Sequence, residues 1–201
     1  MSKFNKTEIN IDEIEMPSAE TLEAEIGDLK YKTRFIRILR NTILTLVVVV
    51  AIAVIVSMMF IPVLQINGMS MSDTLYSEDI VVSFSHVKCE TGDVVAFYFN
   101  NNILVKRVIA RSGQWVDIDD EGNVYVDGAI IDEPYISERA FGDCNIELPY
   151  QVPDGRLFVM GDHRSTSVDS RNTAIGCVAE EMLVGKVAYR IWPLSDIGII
   201  E

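Results

Sequence analysis

Apolar residues follow two different patterns along this chain. From Asn41 to Ser72 no residue is charged, and the run over residues 42–64 is apolar almost throughout. At a rise of about 1.5 Å per residue, that run is long enough to cross a hydrocarbon core about 30 Å thick. We therefore predict a transmembrane helix over residues 41–64. Beyond it, the apolar runs become short and alternate with turn signals, which is typical of β-strands.

The C-terminal part predicts a mostly β domain with antiparallel strands and few short helices. Its apolar runs end at turns rich in Gly, Asn and Asp, such as residues 91–93, 121–123 and 153–155. The predicted strands are Ile80 to Phe84, Asp93 to Phe99, Ile103 to Ala110, Trp115 to Ile118, Val124 to Val126, Leu157 to Met160 and Leu183 to Trp192.

These patterns divide the chain into three parts. Residues 1–40 form an acidic tail, with a short helix expected near residues 19–26, followed by a basic juxtamembrane segment. Residues 41–64 are the predicted span, and residues 65–201 are the β domain, with about 112–156 as a smaller inserted β region. Basic residues precede the span and are absent from Asn41 to Val87, which predicts a cytoplasmic N-terminus and an extracytoplasmic β domain. They are Lys30, Lys32, Arg34, Arg37 and Arg40.

Charge and cysteine content exclude several classes of function. The net charge is -13, and residues 41–201 carry 22 acids and 10 bases, so the β domain would repel nucleic acid phosphates. The cysteines are Cys89, Cys144 and Cys177, with no paired spacing typical of zinc sites. At most one disulfide can form among them, and we expect no metal and no cofactor.

Lys106 lies in the most strongly β-like run of the chain. Period-2 alternation places Leu104, Lys106, Val108 and Ala110 on one face of the strand. Without a carboxylate partner there, desolvation would lower the lysine pKa to roughly 7 or 8, where the amine can act as a general base. The ordinary alternative is an exposed basic pair with Arg107 that reaches water or pairs with nearby acids.

Two polar stretches do not fit a plain alternation of strands and turns. The first, GMSMSDTL from Gly68 to Leu75, offers a hydroxyl nucleophile in a tight loop, or else is a juxtamembrane linker. The second, MGDHRSTSVDSR from Met160 to Arg171, offers hydroxyls and Asp/Arg pairs that could position a lysine amine. Its ordinary alternative is a solvated loop held by Asx and Ser turns.

Together these stretches resemble the type I signal peptidases. That family's serine motif reads roughly G-x-S-M-x-P-T-L, matched here by GMSMSDTL, and its other motifs are matched by GDVVAF with LVKRVIA and by VMGDHRSTSVDSR. The resemblance covers about residues 36–195. It implies an antiparallel, barrel-like β fold on a single N-terminal membrane helix. It also implies a cofactor-free serine endopeptidase that removes signal peptides from exported preproteins.

The resemblance implies a role for each matching residue. Ser70 would be the nucleophile and Lys106 the general base, with no histidine involved. Ser167 would orient the lysine amine, while Asp169 and Arg171 brace its loop and Asp162 and Arg164 support it. The backbone N–H of Ser70 would meet the oxyanion. Gly68 occupies the position where some relatives carry an additional hydroxyl donor.

Substrate selection follows from the same resemblance. Family members cut after small-x-small sequences such as Ala-x-Ala, and an extended substrate would add a strand beside Ile103 to Lys106. Two shallow apolar pockets would be lined by Leu64, Ile66, Met71, Leu75, Leu104 and Val105, although each aliphatic residue could equally belong to the core. The expected partners are signal peptides of exported preproteins, the lipid bilayer of the plasma membrane and, in addition, the protein export machinery.

The sequence departs from the family pattern near the nucleophile. Asp73 replaces the usual proline, and Glu78 stands where relatives often have glycine. Loss of the proline would loosen the loop, and the carboxylate would raise the lysine pKa. A specialised peptidase with few substrates is therefore an open alternative to a general one. Two further alternatives are a membrane-tethered chaperone or assembly factor that binds extended peptide uncut, and a self-cleaving repressor-type Ser/Lys peptidase.

Overall fold

The computed structural model describes residues 18–200, so the predicted acidic tail before Ser18 lies outside the described residues. A single helix, α1, runs from Ala19–Phe60 and includes both the predicted short helix and the basic segment. At its start, the Ser18 hydroxyl accepts a hydrogen bond from the Thr21 N–H at 3.3 Å, as an N-cap does.

The helix ends four residues before the predicted end of the span. Pro62 has no N–H to continue the helical hydrogen bonds, and it disfavours helical geometry at Ile61. Val63–Gln65 therefore form strand β1 instead of a last helical turn. The part of α1 from Ala19–Ser57 is long and apolar enough to cross a membrane, and its most apolar window is not buried in the protein.

The chain forms two compact units that divide between Val54 and Ile55. The second unit is mostly antiparallel β-sheet, as predicted. After β1, its strands are β2 Ile80–Phe84, β3 Val94–Phe99, β4 Asn102–Arg111, β5 Trp115–Ile118, β6 Val124–Val126, β7 Ala129–Ile130, β8 Tyr150–Gln151, β9 Arg156–Met160, β10 Val178–Ala179, β11 Leu183–Trp192 and β12 Gly198–Ile199. Two 3-10 helices, Glu180–Met182 and Leu194–Asp196, flank β11.

Within the described residues the strands form two sheets. The larger has the order β1-β2-β11-β3-β4-β9-β10, with β12 also paired to β11. The smaller has the order β7-β6-β5-β8, and its strands fall within the segment predicted as an inserted β region.

Strand β4 does not alternate regularly along its whole length. Val108 packs in one core cluster with Val95 and Phe97, whereas Ile109 and Ala110 both pack in another. A register shift against β9 between Val108 and Ala110 explains the change, because a bulge resets which side chains point inward. The predicted face of Leu104, Lys106 and Val108 therefore does not extend to Ala110.

Among the strand edges that have no partner in the described residues, two lie close to Ser70. Strand β4 pairs with β3 along Asn102 to Arg107, but it pairs with β9 only from Arg107 onward. Strand β1 pairs with β2 on one side. In the part of the chain that the structure describes, the outer edge of β1 and the edge of β4 over residues 102–105 both border one groove.

Candidate active site

Ser70 starts a tight helical turn directly after β1. The N–H of Leu75 donates to the Met71 carbonyl at 2.7 Å, and the side chains of Met71 and Leu75 are buried in a core cluster with Ile66 and Val81. These two buried anchors fix the turn, while Ser70 itself remains partly accessible. The turn thus presents a hydroxyl at the surface on a rigid base.

Lys106 is buried, with 4% of its surface exposed. Its Nζ donates a hydrogen bond to Ser167 Oγ at 2.9 Å, and no carboxylate of residues 18–200 forms an ion pair with it. Burial lowers the pKa of Lys106 to about 8; Asp169 and Asp162 oppose this shift, and Arg171 adds to it. A substantial fraction of the amine is therefore neutral near pH 8.

Asp169 and Arg171 form the buried ion pair that the sequence predicted for the loop after β9. Arg171 donates to the carboxylate at 2.9 and 2.8 Å, and it also donates to the Phe141 carbonyl at 2.8 Å. Burial alone would raise the pKa of Asp169, but hydrogen bonds and charge from Arg171 outweigh it and hold that pKa below its usual value. Asp169 also accepts the N–H of Gly161 at 3.0 Å, which ties the two ends of the loop together.

At Gly161 the turn that carries Ser70 meets the loop that carries Ser167. A methyl group built on Gly161 would lie 2.4 Å from the Ser70 carbonyl oxygen and 2.3 Å from Ser167 Oγ. The neighbouring N–H of His163 donates to the Ser70 carbonyl at 3.2 Å. The structure thus brings Ser70, Ser167 and Lys106 together around one glycine.

Asp162 and Arg164 do not pair with each other. Asp162 accepts two hydrogen bonds from buried Arg107, at 2.9 and 2.7 Å, and one from Thr74 Oγ1 at 2.6 Å. Arg107 is therefore buried. The alternative in which Lys106 and Arg107 form an exposed basic pair is wrong. Asp162 connects β4, which carries the lysine, to the turn that carries Ser70.

Arg164 pairs with Glu133, a residue that the sequence analysis missed. Glu133 Oε2 accepts a hydrogen bond from Arg164 at 3.0 Å, both side chains are buried, and Arg164 also donates to the Gly161 carbonyl at 3.1 Å. Nearby, the ring of Tyr135 lies 3.8 Å from the Arg107 guanidinium carbon. The segment after β7 therefore braces the loop that carries Ser167 from outside the three motifs.

A groove of about 560 Å³ lies between β1 and β4 and reaches Ser70. Five of the six predicted substrate-binding residues line it: Leu64, Ile66, Met71, Leu104 and Val105. The sixth, Leu75, does not, because its side chain is fully buried in the core beneath the serine turn. Leu75 supports the turn from within instead of contacting the groove.

Two backbone N–H groups along the groove have no acceptor among the described residues. Gly68 lines the groove and has a φ of +99°, which glycine adopts without strain. In the described part of the chain, the backbone N–H groups of Gly68 and Ser70 donate to no other residue. Both are free to bind a ligand.

Asp73 affects the site differently from what its charge suggested. Its φ is +85°, a conformation closed to proline, and Asp tolerates that region better than most residues. Asp73 is exposed and is not among the charges that shift the pKa of Lys106. Glu78 also has a positive φ, of +76°, which explains why glycine suits that position in relatives.

Comparisons with known proteins identify the family of this chain. The family model "Signal peptidase, peptidase S26" matches residues 39–192. Signal peptidase IB of Staphylococcus aureus (strain COL) is 33% identical over 174 residues, covering 77% of this chain and 90% of that relative. Thylakoidal processing peptidase 1, chloroplastic, of Arabidopsis thaliana is 32% identical over 151 residues, covering 67% of this chain and 43% of that relative.

A solved structure was also found to be similar. It is the crystal structure of a signal peptidase I from Enterococcus faecalis V583, with 26% identity, a TM-score of 0.43, and coverage of 51% of this chain and 98% of that one. The extent of the family match and the identity to signal peptidase IB are what assign the family. The chain belongs to the signal peptidase family, peptidase S26, a family of proteases that remove signal peptides.

Proposed function

We propose that this protein is a membrane-anchored serine endopeptidase that cuts signal peptides from exported preproteins with a Ser70/Lys106 dyad. The observation that carries the proposal is the buried amine of Lys106, whose pKa is lowered to about 8 and whose position is fixed by Ser167. A lysine kept neutral in this way is able to accept the proton of a serine hydroxyl. Its neighbour across Gly161 is the turn that carries Ser70.

In the proposed reaction, Ser70 Oγ attacks the scissile carbonyl carbon while Lys106 Nζ takes the hydroxyl proton. The carbonyl oxygen becomes an oxyanion, stabilised by the N–H groups of Ser70 and Gly68. The Lys106 ammonium then returns its proton to the leaving amine, and the C–N bond breaks to give an ester on Ser70. Lys106, neutral again, deprotonates a water that attacks the ester carbonyl; the bond between that carbon and Ser70 Oγ then breaks, Lys106 returns the proton to Oγ, and the signal peptide is released as a free acid.

The groove supports recognition of an extended chain. Its walls are the unpaired edges of β1 and β4, so a bound peptide can form main-chain hydrogen bonds on both sides. Leu64, Ile66, Met71 and Val105 line the groove together with Ser70, and we expect the pockets between them to be shallow. Alanine is accepted in such shallow pockets and bulk is excluded, which is the basis of the proposed small-x-small specificity.

The proposed location follows from the N-terminal helix and its charges. Five basic residues precede the apolar span, and the positive-inside rule orients the N-terminus toward the cytoplasm. The catalytic domain then lies outside the plasma membrane, where signal-peptide cleavage sites emerge. An association with the export machinery is consistent with that position.

The test is the product mass after incubating the full chain in detergent with an Ala-x-Ala preprotein. The wild type should release a fragment that ends after the second alanine, and Ser70→Ala and Lys106→Ala should release none while keeping the wild-type far-UV spectrum. If the preprotein binds but stays intact with the wild type, the protein is instead a peptide-binding assembly factor. Full activity in Lys106→Ala would contradict the proposed base.

A further inference from the structure

A second cavity adjoins the groove and has no part in the proposed mechanism. It has a volume of about 760 Å³ and shares Leu64 and Ile103 with the groove. Its lining combines apolar residues, among them Val87, Tyr98, Leu183 and Val184, with four charged ones, which are Lys88, Arg111, Glu180 and Glu181. Of the described residues, none from Gln65 to Met71 lines it, so it lies beyond the end of the groove that is remote from Ser70.

The strand register predicts which part of a substrate reaches this cavity. Ile103 lies three residues before Lys106 on β4, and extended residues are about 3.3 Å apart, so the two positions are about 10 Å apart. A bound strand that runs parallel to β4, with its last residue before the cut level with Lys106, has its fourth residue before the cut level with Ile103. The side chain at that position, and those at positions farther before the cut, then meet the second cavity.

The end of the apolar helix lies beside the same cavity. The carbonyl of Phe60, the last residue of α1, accepts a hydrogen bond from the Ser85 N–H at 3.1 Å. The Phe60 ring lies 6.1 Å from that of His86, and both Ser85 and His86 line the cavity. A signal peptide carries an apolar core of about 7–15 residues ahead of its small-residue cleavage site. The cavity therefore lies beside the end of α1, the helix that carries the candidate membrane span.

We propose that this cavity is a substrate subsite for apolar side chains at the fourth to sixth residues before the cut. The inference rests on the proposed peptidase function and extends it. The small pockets near Ser70 select where the chain is cut, whereas this subsite selects for the end of the apolar core. Burying two or three aliphatic side chains there strengthens binding of a preprotein without changing the chemistry at Ser70.

The test compares two model preproteins that share one Ala-x-Ala site. One carries leucine at the fourth to sixth residues before the cut, and the other carries serine there. For the wild type, kcat/KM should be about tenfold higher with the leucine substrate, mainly through KM. In Val87→Trp, which fills the cavity at a half-exposed position, that ratio should fall below about threefold.

The matched control is Ile130→Trp, which adds the same bulk at an exposed position on β7, away from both cavities. It should retain the wild-type ratio. Equal cleavage of the two substrates by the wild type, or equal slowing of both in Val87→Trp, would overturn the subsite alone. If the wild type cleaved neither substrate, the peptidase proposal itself would fail, and the subsite with it.

Discussion

Lys106 Nζ donates a hydrogen bond to Ser167 Oγ at 2.9 Å, across 61 residues of sequence. Lysine has four rotatable side-chain bonds, so a single contact at its end decides where the lone pair of the neutral amine points. Ser167 is itself buried, and Asp169 and Arg171 brace its loop. The hydroxyl thus acts as a positioning group for the proposed base.

Removing this hydroxyl should lower activity without unfolding the protein. We expect Ser167→Ala to reduce kcat/KM by about 100-fold, mainly in kcat, because the amine loses its fixed direction. Ser167→Thr should recover part of the loss, because it keeps the hydroxyl. The control is Ser165→Ala, an exposed serine of the same loop, with wild-type rates expected. Wild-type kinetics in Ser167→Ala would remove Ser167 from the site.

A single methyl group at Gly161 should disable the site. Its carbon would lie 2.3 Å from Ser167 Oγ and 2.4 Å from the Ser70 carbonyl oxygen, so the two loops must separate. We expect Gly161→Ala to reduce kcat/KM by about 100-fold or more, since misplacement of about 1 Å costs that much. Gly198→Ala is the control, because it has no heavy atom within 4 Å of the added carbon. Equal rates in the two variants would contradict the close approach at Gly161.

Restoring the family's proline at position 73 should impair the protein. The φ of +85° at Asp73 is far from the value of about -65° that proline requires, so Asp73→Pro must rearrange the serine turn. We expect a destabilisation of more than about 1 kcal/mol in urea unfolding, together with slower cleavage. Asp73→Gly removes the same carboxylate but fits the backbone, and it should keep wild-type activity. Faster cleavage by Asp73→Pro would show that the turn has a different conformation.

Glu133 should matter for stability although it lies outside all three motifs. Its carboxylate is the buried partner of Arg164, and Glu133→Gln leaves a buried guanidinium without its counter-charge. We expect a loss of about 3–5 kcal/mol of unfolding free energy, measured by urea unfolding. Glu138→Gln, an exposed change in the same segment, should have no measurable effect. A loss below about 1 kcal/mol in Glu133→Gln would argue that this pair does not brace the loop.

Much of the larger sheet could be predicted because its strands are long, alternating and rich in β-branched residues. In the larger sheet, β2 and β11 were predicted with the bounds they have and β3, β4 and β9 within one residue at each end, and in the smaller sheet β5 and β6 were predicted with the bounds they have. Strands β7, β8, β10 and β12 have two residues each, too few for a period to be visible. Strand β1 was hidden in an apolar run that continues from the helix, where composition alone does not mark the change after Phe60.

The parts of the site that sequence reasoning missed depend on long-range pairing. Nothing local connects Glu133 to Arg164 or Thr74 to Asp162; their contacts exist only after the sheets form. Leu75 was assigned to the substrate pocket because the motif contains it, whereas the helical turn at Met71 directs its side chain inward. The pKa of Lys106 followed from a simple rule, that a lysine among apolar neighbours loses its charge more easily.

The pH dependence of kcat/KM for cleavage of an Ala-x-Ala preprotein tests the account most directly. The base works only when deprotonated, and burial lowers the pKa of Lys106 to about 8, so activity should rise with pH through about 8 and level off above it. If the pKa of Lys106 had its ordinary value of 10.5, kcat/KM would instead keep rising beyond pH 10. A plateau above an apparent pKa near 8 is the predicted result, and a rise that begins only above pH 10 would contradict the buried neutral amine.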